Sequence, residues 1–207
     1  SPISNLTNLA YLLEKIPIEN NNLKEILDDS RTSIRVLNET IDDLTEILII
    51  RDNPSVEQEK IAFSDIFENI LQQTSYLIEK EKPRIVSNFE DAPSIFYNRV
   101  YLESIFLNLL TNALKFRSPS RRPEITITTI DRKDHVLLEF QDNGIGLDIR
   151  RYKDRIFGLY QRFHQHTDSK GLGLYLVKSQ VEALGGSIEA KSKAGQGMTI
   201  LIRFKKE

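Results

Sequence analysis

The sequence contains no cysteine, no long apolar run and no strong excess of charge of one sign. Without cysteine, a disulfide framework and a thiolate metal site are both excluded, and a reducing compartment is consistent with the composition. No apolar run approaches the roughly 20 residues that span a membrane, and the first residues do not form a signal peptide. The formal net charge of −2 gives no indication of binding to nucleic acid or to an anionic membrane surface.

The sequence also lacks the best-known phosphate-binding signatures. It has no G-x-x-x-x-G-K-[ST] motif, and none of its glycine pairs is completed to G-x-G-x-x-G. The motif set of protein kinases is absent as well. Neither a P-loop, a dinucleotide-binding fold nor a protein-kinase fold is therefore indicated.

Residues 1–52 have the pattern of a helical hairpin. From Leu23 to Leu48, seven apolar residues and Ser30 follow alternating spacings of four and three, which is the heptad pattern of a coiled coil or bundle. The segment from Ile3 to Ile16 does the same, and "IPIENNN" predicts the turn between the helices. A lone hairpin buries too little of this stripe, so a homodimeric four-helix bundle is the simplest expectation. The alternative is a hairpin packed on the rest of its own chain.

The remaining chain predicts a linker and one mixed domain. Residues 53–60 are polar and contain Pro54, which indicates the linker, and the domain covers 61–207. Helices are predicted over 65–80, with Ser64 as N-cap, and over 99–116 and 173–184. Strands are predicted over 84–89, 124–130, 135–142, 187–192 and 198–204. This order predicts an α+β fold, a two-layer α/β sandwich in which helices cover one face of a mixed sheet.

One stripe of the second helix carries polar groups. Asn108, Asn112 and Lys115 are spaced i, i+4, i+7, so they lie on one face. An amide oxygen can ligate Mg²⁺ and a lysine can meet phosphate. A solvated polar face has the same spacing, and for this stripe alone it is the better interpretation.

Three glycine-rich segments are equally ambiguous one at a time. In "QDNGIG", Asp142 ends a strand and offers carboxylate oxygens to an exocyclic amine such as that of adenine. In "DSKGLGLYLVK", Gly171 and Gly173 lead into a helix whose N-terminal N–H groups can bind phosphate. "AGQGMT" joins two strands. Ordinary turns, and a helix capped by Ser169, account for the same residues.

Each of these motifs is common by itself, but their order along the chain is typical of one protein family. The series N-x-x-x-N-A-x-K-F, D-x-G-x-G, G-L-G-L and G-x-G resembles the N, G1, G2 and G3 boxes of sensor histidine kinases of two-component systems. These kinases share a Bergerat-type ATP-binding fold with gyrase-type topoisomerases and related chaperones. "RIFGLYQRF" is similar to their F box, and the resemblance covers about residues 58–205. The hairpin resembles their dimerisation domain, and "SPISNL" resembles the segment just after the phosphoacceptor histidine.

The resemblance assigns roles to residues of this chain. It implies that Asn112 is the Mg²⁺ ligand, with Asn108 beside it, and that Lys115 contacts phosphate. Asp142 accepts from the adenine amino group, and Arg162 is the F-box arginine. Further implied nucleotide contacts are Phe116, Gly144, Gly146, Phe157, Tyr160, Ser169, Lys170, Gly171, Leu172, Gly173, Leu174 and Thr199, the last of them near the base.

Three positions depart from related families. Ser169 stands where the G2 box usually has a further glycine, and Met198 where the G3 box has serine or threonine. Asn108 stands where related ATPases have a glutamate that activates water, and an amide cannot be a general base near neutral pH. This favours a kinase over a dedicated ATPase.

The resemblance therefore implies an ATP- and Mg²⁺-dependent histidine autokinase that passes its phosphoryl group to a response-regulator receiver domain. The acceptor histidine is expected just upstream of Ser1, because His135, His164 and His166 all lie outside the hairpin. The implied partners are a second copy and the receiver domain, without nucleic acid or membrane contact by this segment. Its implied location is cytoplasmic, whether or not the full-length protein is attached to a membrane. A non-catalytic nucleotide-binding module and a dimerisation scaffold stay open as alternatives.

Overall fold

The computed structural model describes residues 27–30, 32–34, 37, 41, 45, 57–152, 155–161 and 171–206. The chain forms two compact units, Ser1–Ile49 and Ile50–Glu207. Every described residue of the first unit is helical, but the first hairpin helix and the turn after it lie outside the described residues. No helix in the described part of the chain is long and apolar enough to cross a membrane.

A five-stranded mixed sheet organises the second unit, as the sequence predicted. Its strands, in chain order, are β2 (Arg84–Asn88), β4 (Glu124–Asp131), β5 (His135–Asp142), β6 (Ser187–Lys193) and β7 (Gly197–Lys205). The order across the sheet is β2-β4-β5-β7-β6, with β2 parallel to β4 and every other pair antiparallel. A separate antiparallel ribbon pairs β1 (Glu59–Ala62) with β3 (Ser94–Tyr97).

Helices cover one face of this sheet. They are α1 (Phe63–Gln73), α2 (Ser75–Glu81), α3 (Arg99–Lys115), α4 (Ile149–Tyr152) and α5 (Gly173–Ala183). The 17-residue α3 packs between α1 and α5. Its N-cap, Asn98, accepts a hydrogen bond from the N–H of Tyr101 at 3.0 Å and donates to the carbonyl of Glu57 at 2.8 Å.

The core explains why α3 presents its polar stripe to the site. Residues opposite one another on β5 and β7 alternate between the two faces of the sheet, and the apolar set faces the helices. The buried pairs are Val136–Phe204, Leu138–Ile202 and Phe140–Ile200. Leu102, Phe106 and Leu110 of α3 are buried against this layer, each contributing about 1.5–3 kcal/mol. The helix therefore cannot rotate without exposing them, which fixes the direction of Asn108 and Asn112.

Three local predictions were wrong. The helix predicted over 65–80 is two helices, because the Thr74 hydroxyl is buried and bonds to the Ile70 carbonyl at 2.6 Å where the helix ends. Its N-cap is Ala62 rather than Ser64, whose hydroxyl bonds to Asp65 at 3.2 Å. Finally, Glu59 and Lys60 of the predicted linker belong to β1, since they pair with β3.

Candidate functional site

Asn108 and Asn112 lie one turn apart on α3 and both face the start of α5. The Asn108 Nδ2 donates to the Ser104 carbonyl at 3.0 Å, which turns Oδ1 away from its own helix. A Cβ built on Gly173 would lie 2.6 Å from Asn108 Oδ1 and 3.5 Å from Asn112 Nδ2. Only glycine permits this approach. Lys115, one turn further along α3, is half-buried like both amides.

The start of α5 offers backbone donors beside these amides. Its N-cap is the buried Leu172, which has no side-chain capping bond. The first N–H groups of a helix have no intrahelical partner and carry the positive end of its dipole. Gly171 precedes this start with φ +74°, and its Cβ would meet the Gln161 carbonyl oxygen at 2.4 Å. Positive φ and contact with backbone restrict position 171 to glycine, whereas a Cβ at position 173 would displace the Asn108 amide.

Asp142 forms the other end of the site. Its half-buried carboxylate ends β5, and its Oδ1 accepts from the N–H of Gly144 at 2.7 Å and of Met198 at 3.3 Å. No described residue donates to its Oδ2. Burial raises the pKa of this carboxyl, whereas the two N–H donors and the charge of Arg121 act in the opposite direction. One oxygen is thus fixed by the backbone while the other is available as an acceptor.

The loop after β5 is attached to the end of α3. The N–H of Ile145 donates to the carbonyl of Phe116, the C-cap of α3, at 2.9 Å. A Cβ on Gly144 would lie 2.4 Å from that same carbonyl oxygen and 2.8 Å from Asp142 Oδ1. The Asp142 end and the asparagine end of the site are thereby parts of one connected structure, through the backbone of Phe116.

The turn between β6 and β7 interlocks with this loop. Gly195 donates its N–H to the Ile145 carbonyl at 2.6 Å. Gly146 has φ +62°, and its Cβ would lie 2.2 Å from the Lys193 carbonyl oxygen. Gly197 has φ +91°, and its Cβ would lie 2.0 Å from the Asp142 carbonyl oxygen. Positive φ and backbone contact together restrict both positions to glycine.

The register places Met198, rather than Thr199, on the Asp142 side of the sheet. Met198 lies opposite Asp142, and Thr199 lies opposite Gln141. Consecutive residues of a strand point to opposite faces, so Thr199 is directed to the face away from the helices. The structure therefore does not bring Thr199 to the expected base end of the site.

The F-box segment is only partly described. Phe157 is half-buried, and Tyr160 is 52% exposed with a φ of +55°. The side-chain oxygen of Gln161 accepts from Arg155 Nε at 2.9 Å, and its backbone packs on Gly171. Arg162, Ser169 and Lys170 lie outside the described residues, while Leu174 follows Gly173 in α5 and is half-buried.

Two residues of the site were missed at the sequence level. Arg121 donates to three backbone carbonyls of the glycine loops. The Asn143 amide joins the same region to β4, accepting from the N–H of Glu124 and donating to the carbonyl of Arg122, each at 3.0 Å. The only available signal was position, because the polar segment 117–122 connects two elements that both reach the site.

The residues present fit a magnesium nucleotide. An adenine amino group needs an acceptor, which Asp142 Oδ2 supplies. Phosphates need N–H donors and positive charge; the start of α5 offers such N–H groups, and Lys115 is the cation that follows both asparagines along α3. A hard cation such as Mg²⁺ takes oxygen ligands, and the amides of Asn108 and Asn112 lie at that end.

Comparison with known proteins identifies the family. Residues 97–207 match the family described as histidine kinase-, DNA gyrase B- and HSP90-like ATPases. The phytochrome-like protein Cph1 of Synechocystis is 27% identical over 203 residues, covering 96% of this chain and 26% of that protein. The histidine protein kinase SaeS of Staphylococcus epidermidis is 29% identical over 195 residues, covering 92% of this chain and 54% of that protein. The chain thus spans about a quarter and about half of the lengths of these relatives.

Solved structures show the same fold. Full-length ShkA in complex with AMPPNP aligns over 100% of this chain and 44% of its own, with a TM-score of 0.78 and 20% identity. The histidine kinase AdeS of Acinetobacter baumannii aligns over 100% of this chain and 96% of its own, with a TM-score of 0.70 and 18% identity. Because the family model matches more than half of the sequence, the chain belongs to the histidine kinase-, DNA gyrase B- and HSP90-like ATPases.

Proposed function

We propose that this chain binds ATP with Mg²⁺ and is the phosphoryl-donating part of a histidine autokinase in two-component signalling. The observation that carries the proposal is one connected site with two chemically different ends. At one end Asp142 keeps Oδ2 available as an acceptor. At the other end, Asn108 and Asn112 face the uncapped start of α5.

Each end has a distinct role in this proposal. Asp142 accepts from the adenine amino group, and Gly144 lets the base approach the backbone. Asn112 holds Mg²⁺, with Asn108 beside it, while Lys115 and the first N–H groups of α5 contact the phosphates. Mg²⁺, when bound, neutralises phosphate charge during transfer. Five further nucleotide contacts stay predictions: Arg162, Ser169, Lys170, Phe157 and Tyr160.

Asn108 favours transfer to a protein side chain over hydrolysis. Its amide is half-buried and bonded to the Ser104 carbonyl, and an amide does not take up a proton near neutral pH. Phosphoryl transfer is mainly positioning and charge stabilisation, so an acceptor presented by another part of the protein suffices. Relatives that are named histidine protein kinases support the same assignment. The next acceptor is an aspartate of a response-regulator receiver domain.

A nucleotide titration tests the binding proposal. We expect isothermal calorimetry to show one ATP site per chain, with affinity about ten-fold or more weaker when EDTA replaces Mg²⁺, because the phosphates then lose their counter-charge. GTP is the matched control, since its base presents a carbonyl rather than an amine toward Asp142. Absence of ATP binding at millimolar concentration would contradict the proposal.

The transfer step is tested with the full-length protein. Incubation with γ-labelled ATP should give a label that is stable to alkali and lost in acid, as expected of phosphohistidine, and the label should then move to a receiver domain. ATP binding without any label would instead favour the non-catalytic alternative.

We also infer that the first unit forms a homodimer. Leu37 belongs to the predicted apolar stripe and is 46% exposed within the single chain, while Ile34 and Ile41 of the same stripe are half-buried. Pairing with the same stripe of a second copy covers such side chains, and a lone hairpin does not.

Leu37→Glu is therefore expected to weaken dimerisation at least ten-fold, because it buries a carboxylate in the seam. Thr32→Glu is the matched control, since Thr32 is exposed and lies farthest from the stripe in the heptad. Sedimentation equilibrium gives both dissociation constants, and equal values for the two variants would contradict the dimer.

A further inference from the structure

One arginine side chain joins the two glycine loops beside Asp142. Arg121 Nε donates to the Asn143 carbonyl at 2.6 Å. Its Nη2 donates to the carbonyls of Gly144 at 2.7 Å and Gly195 at 2.8 Å. Two of these acceptors lie in the loop after β5 and the third lies in the turn between β6 and β7, so a single guanidinium spans both.

The donors that hold Asp142 lie in one of these loops and at the start of β7, directly after the other loop. The N–H of Gly144 belongs to one of them, and the N–H of Met198 follows the other by a few residues. A relative movement of the two loops therefore shifts the Gly144 donor with respect to the Met198 donor, which the pairing of β7 with β5 holds opposite Asp142. The planar guanidinium presents its donors in a fixed fork, which a lysine ammonium cannot reproduce.

We propose that Arg121 is a positioning residue for base recognition: its three carbonyl contacts hold the two glycine loops together and so fix the orientation of the Asp142 carboxylate before a nucleotide binds. The proposal rests on the proposed function only in assigning the adenine contact to Asp142. The residue itself touches neither nucleotide nor metal in this scheme.

The charge of Arg121 adds a second effect on the same carboxylate. Burial raises the pKa of Asp142, and the nearby guanidinium opposes that rise. The strands packed on either side present Ile125 and Met198 to Asp142, neither of which is charged. Arg121 therefore favours the ionised carboxylate, which accepts a hydrogen bond more strongly than the neutral acid.

The neighbouring Arg122 provides a matched control. It also donates to two backbone carbonyls, those of Lys82 at 2.8 Å and Pro83 at 3.5 Å, but these precede β2 and lie outside the glycine loops. A variant of Arg122 thus loses the same kind of contact without affecting Asp142. A purely structural role for arginine in this segment predicts equal effects at both positions.

The experiment compares Arg121→Gln, Arg121→Lys and Arg122→Gln in this chain. We expect both Arg121 variants to bind ATP about ten-fold or more weakly, with faster hydrogen exchange at residues 144–146 and 195–198 in the nucleotide-free protein. In Arg121→Gln the midpoint of the affinity–pH profile should move to higher pH, because the counter-charge is lost. Arg121→Lys keeps that charge, so its midpoint should stay while its affinity falls. Arg122→Gln should leave the ATP affinity, the exchange at both loops and the pH midpoint unchanged.

Two results would contradict the positioning role of Arg121. Unchanged exchange at both loops in Arg121→Gln, or an equal loss of affinity in Arg122→Gln, overturns the proposal. If the wild-type chain binds no ATP, the proposed function fails, while exchange in the nucleotide-free protein still tests whether Arg121 joins the loops. Should Arg121→Gln fail to fold, the exchange and affinity of Arg121→Lys decide, since that change is conservative in charge and length.

Discussion

Asp142→Asn is expected to weaken ATP binding by about 10- to 100-fold while leaving the protein folded and slightly more stable at neutral pH. Asparagine keeps an Oδ1 that can accept from the Gly144 and Met198 N–H groups. The change replaces Oδ2 by an NH₂ group, so an acceptor becomes a donor that faces the adenine amino group. Losing one charge-assisted hydrogen bond costs about 1.5–3 kcal/mol, which corresponds to this range of affinity.

The gain in stability follows from the raised pKa of Asp142. Between the ordinary pKa of aspartate, about 3.9, and the raised value, the folded state binds more protons than the unfolded state. The stabilising contribution of this group is therefore present at low pH and is lost as the pH rises through the raised pKa. Asparagine removes the ionisation, so the variant should lose less stability than the wild type as the pH rises across that window.

Asp134 is the matched control at the opposite end of β5. Its carboxylate bonds to His135 Nδ1 at 2.7 Å, and this hydrogen bond holds the pKa of Asp134 below its ordinary value. The linkage has the opposite sign: the contribution is present above the ordinary pKa and is lost as the pH falls. Asp134→Asn should leave ATP affinity unchanged. Denaturation from pH 3 to 8 and calorimetry measure both variants, and undiminished ATP affinity in Asp142→Asn would refute the assignment.

Gly173→Ala is expected to reduce affinity for ATP with Mg²⁺ by about 100-fold, with little change in stability. The new Cβ would lie 2.6 Å from Asn108 Oδ1, a contact that real structures do not tolerate. The clashing atom is the end of a side chain, so the amide can rotate and the fold survives. The displaced amide and the obstructed helix start then no longer fit a magnesium phosphate, and the loss of about 3 kcal/mol in hydrogen bonds to charged groups corresponds to about 100-fold in affinity.

A double-mutant cycle tests this mechanism. If alanine at 173 acts by displacing Asn108, then Asn108→Ala removes the clashing group. The loss of binding free energy in the double variant should then be smaller than the sum of the losses in the two single variants. Additive losses, or wild-type affinity in Gly173→Ala, would contradict the proposed contact. Mg²⁺ affinity in the presence of ADP reports the same site without turnover.

The elements that the sequence predicted well are those whose pattern is local. The apolar alternation of "HVLLEFQD" predicted β5 with its observed bounds, and the periodicity of "RVYLESIFLNLLTNALKF" predicted α3 to within one residue. The order of the N, G1, G2 and G3 boxes then predicted which loops converge. The ribbon of β1 and β3 was missed because four-residue strands become recognisable only through pairing across more than 30 residues of chain.

The details that the sequence could not provide depend on long-range geometry. Thr199 and Met198 are adjacent, and the register of β7 against β5 alone decides which of them lies on the Asp142 side. The contacts of Arg121 join carbonyls more than 20 and more than 70 positions away, so no motif or periodicity marks them. Every residue has a backbone carbonyl, so the amino-acid type of the accepting residue does not indicate such a hydrogen bond.

The interlock of Gly146 and Gly197 has a genetic consequence. Each missing Cβ leaves room for a main-chain atom, the carbonyl oxygen of Lys193 in one case and that of Asp142 in the other. A clash with a side chain can be relieved by a smaller residue elsewhere, whereas every amino acid carries the same carbonyl. A substitution at either glycine thus has no compensating change at the residue it meets, and a screen for revertants should return glycine at the original position rather than a change at residue 193 or 142.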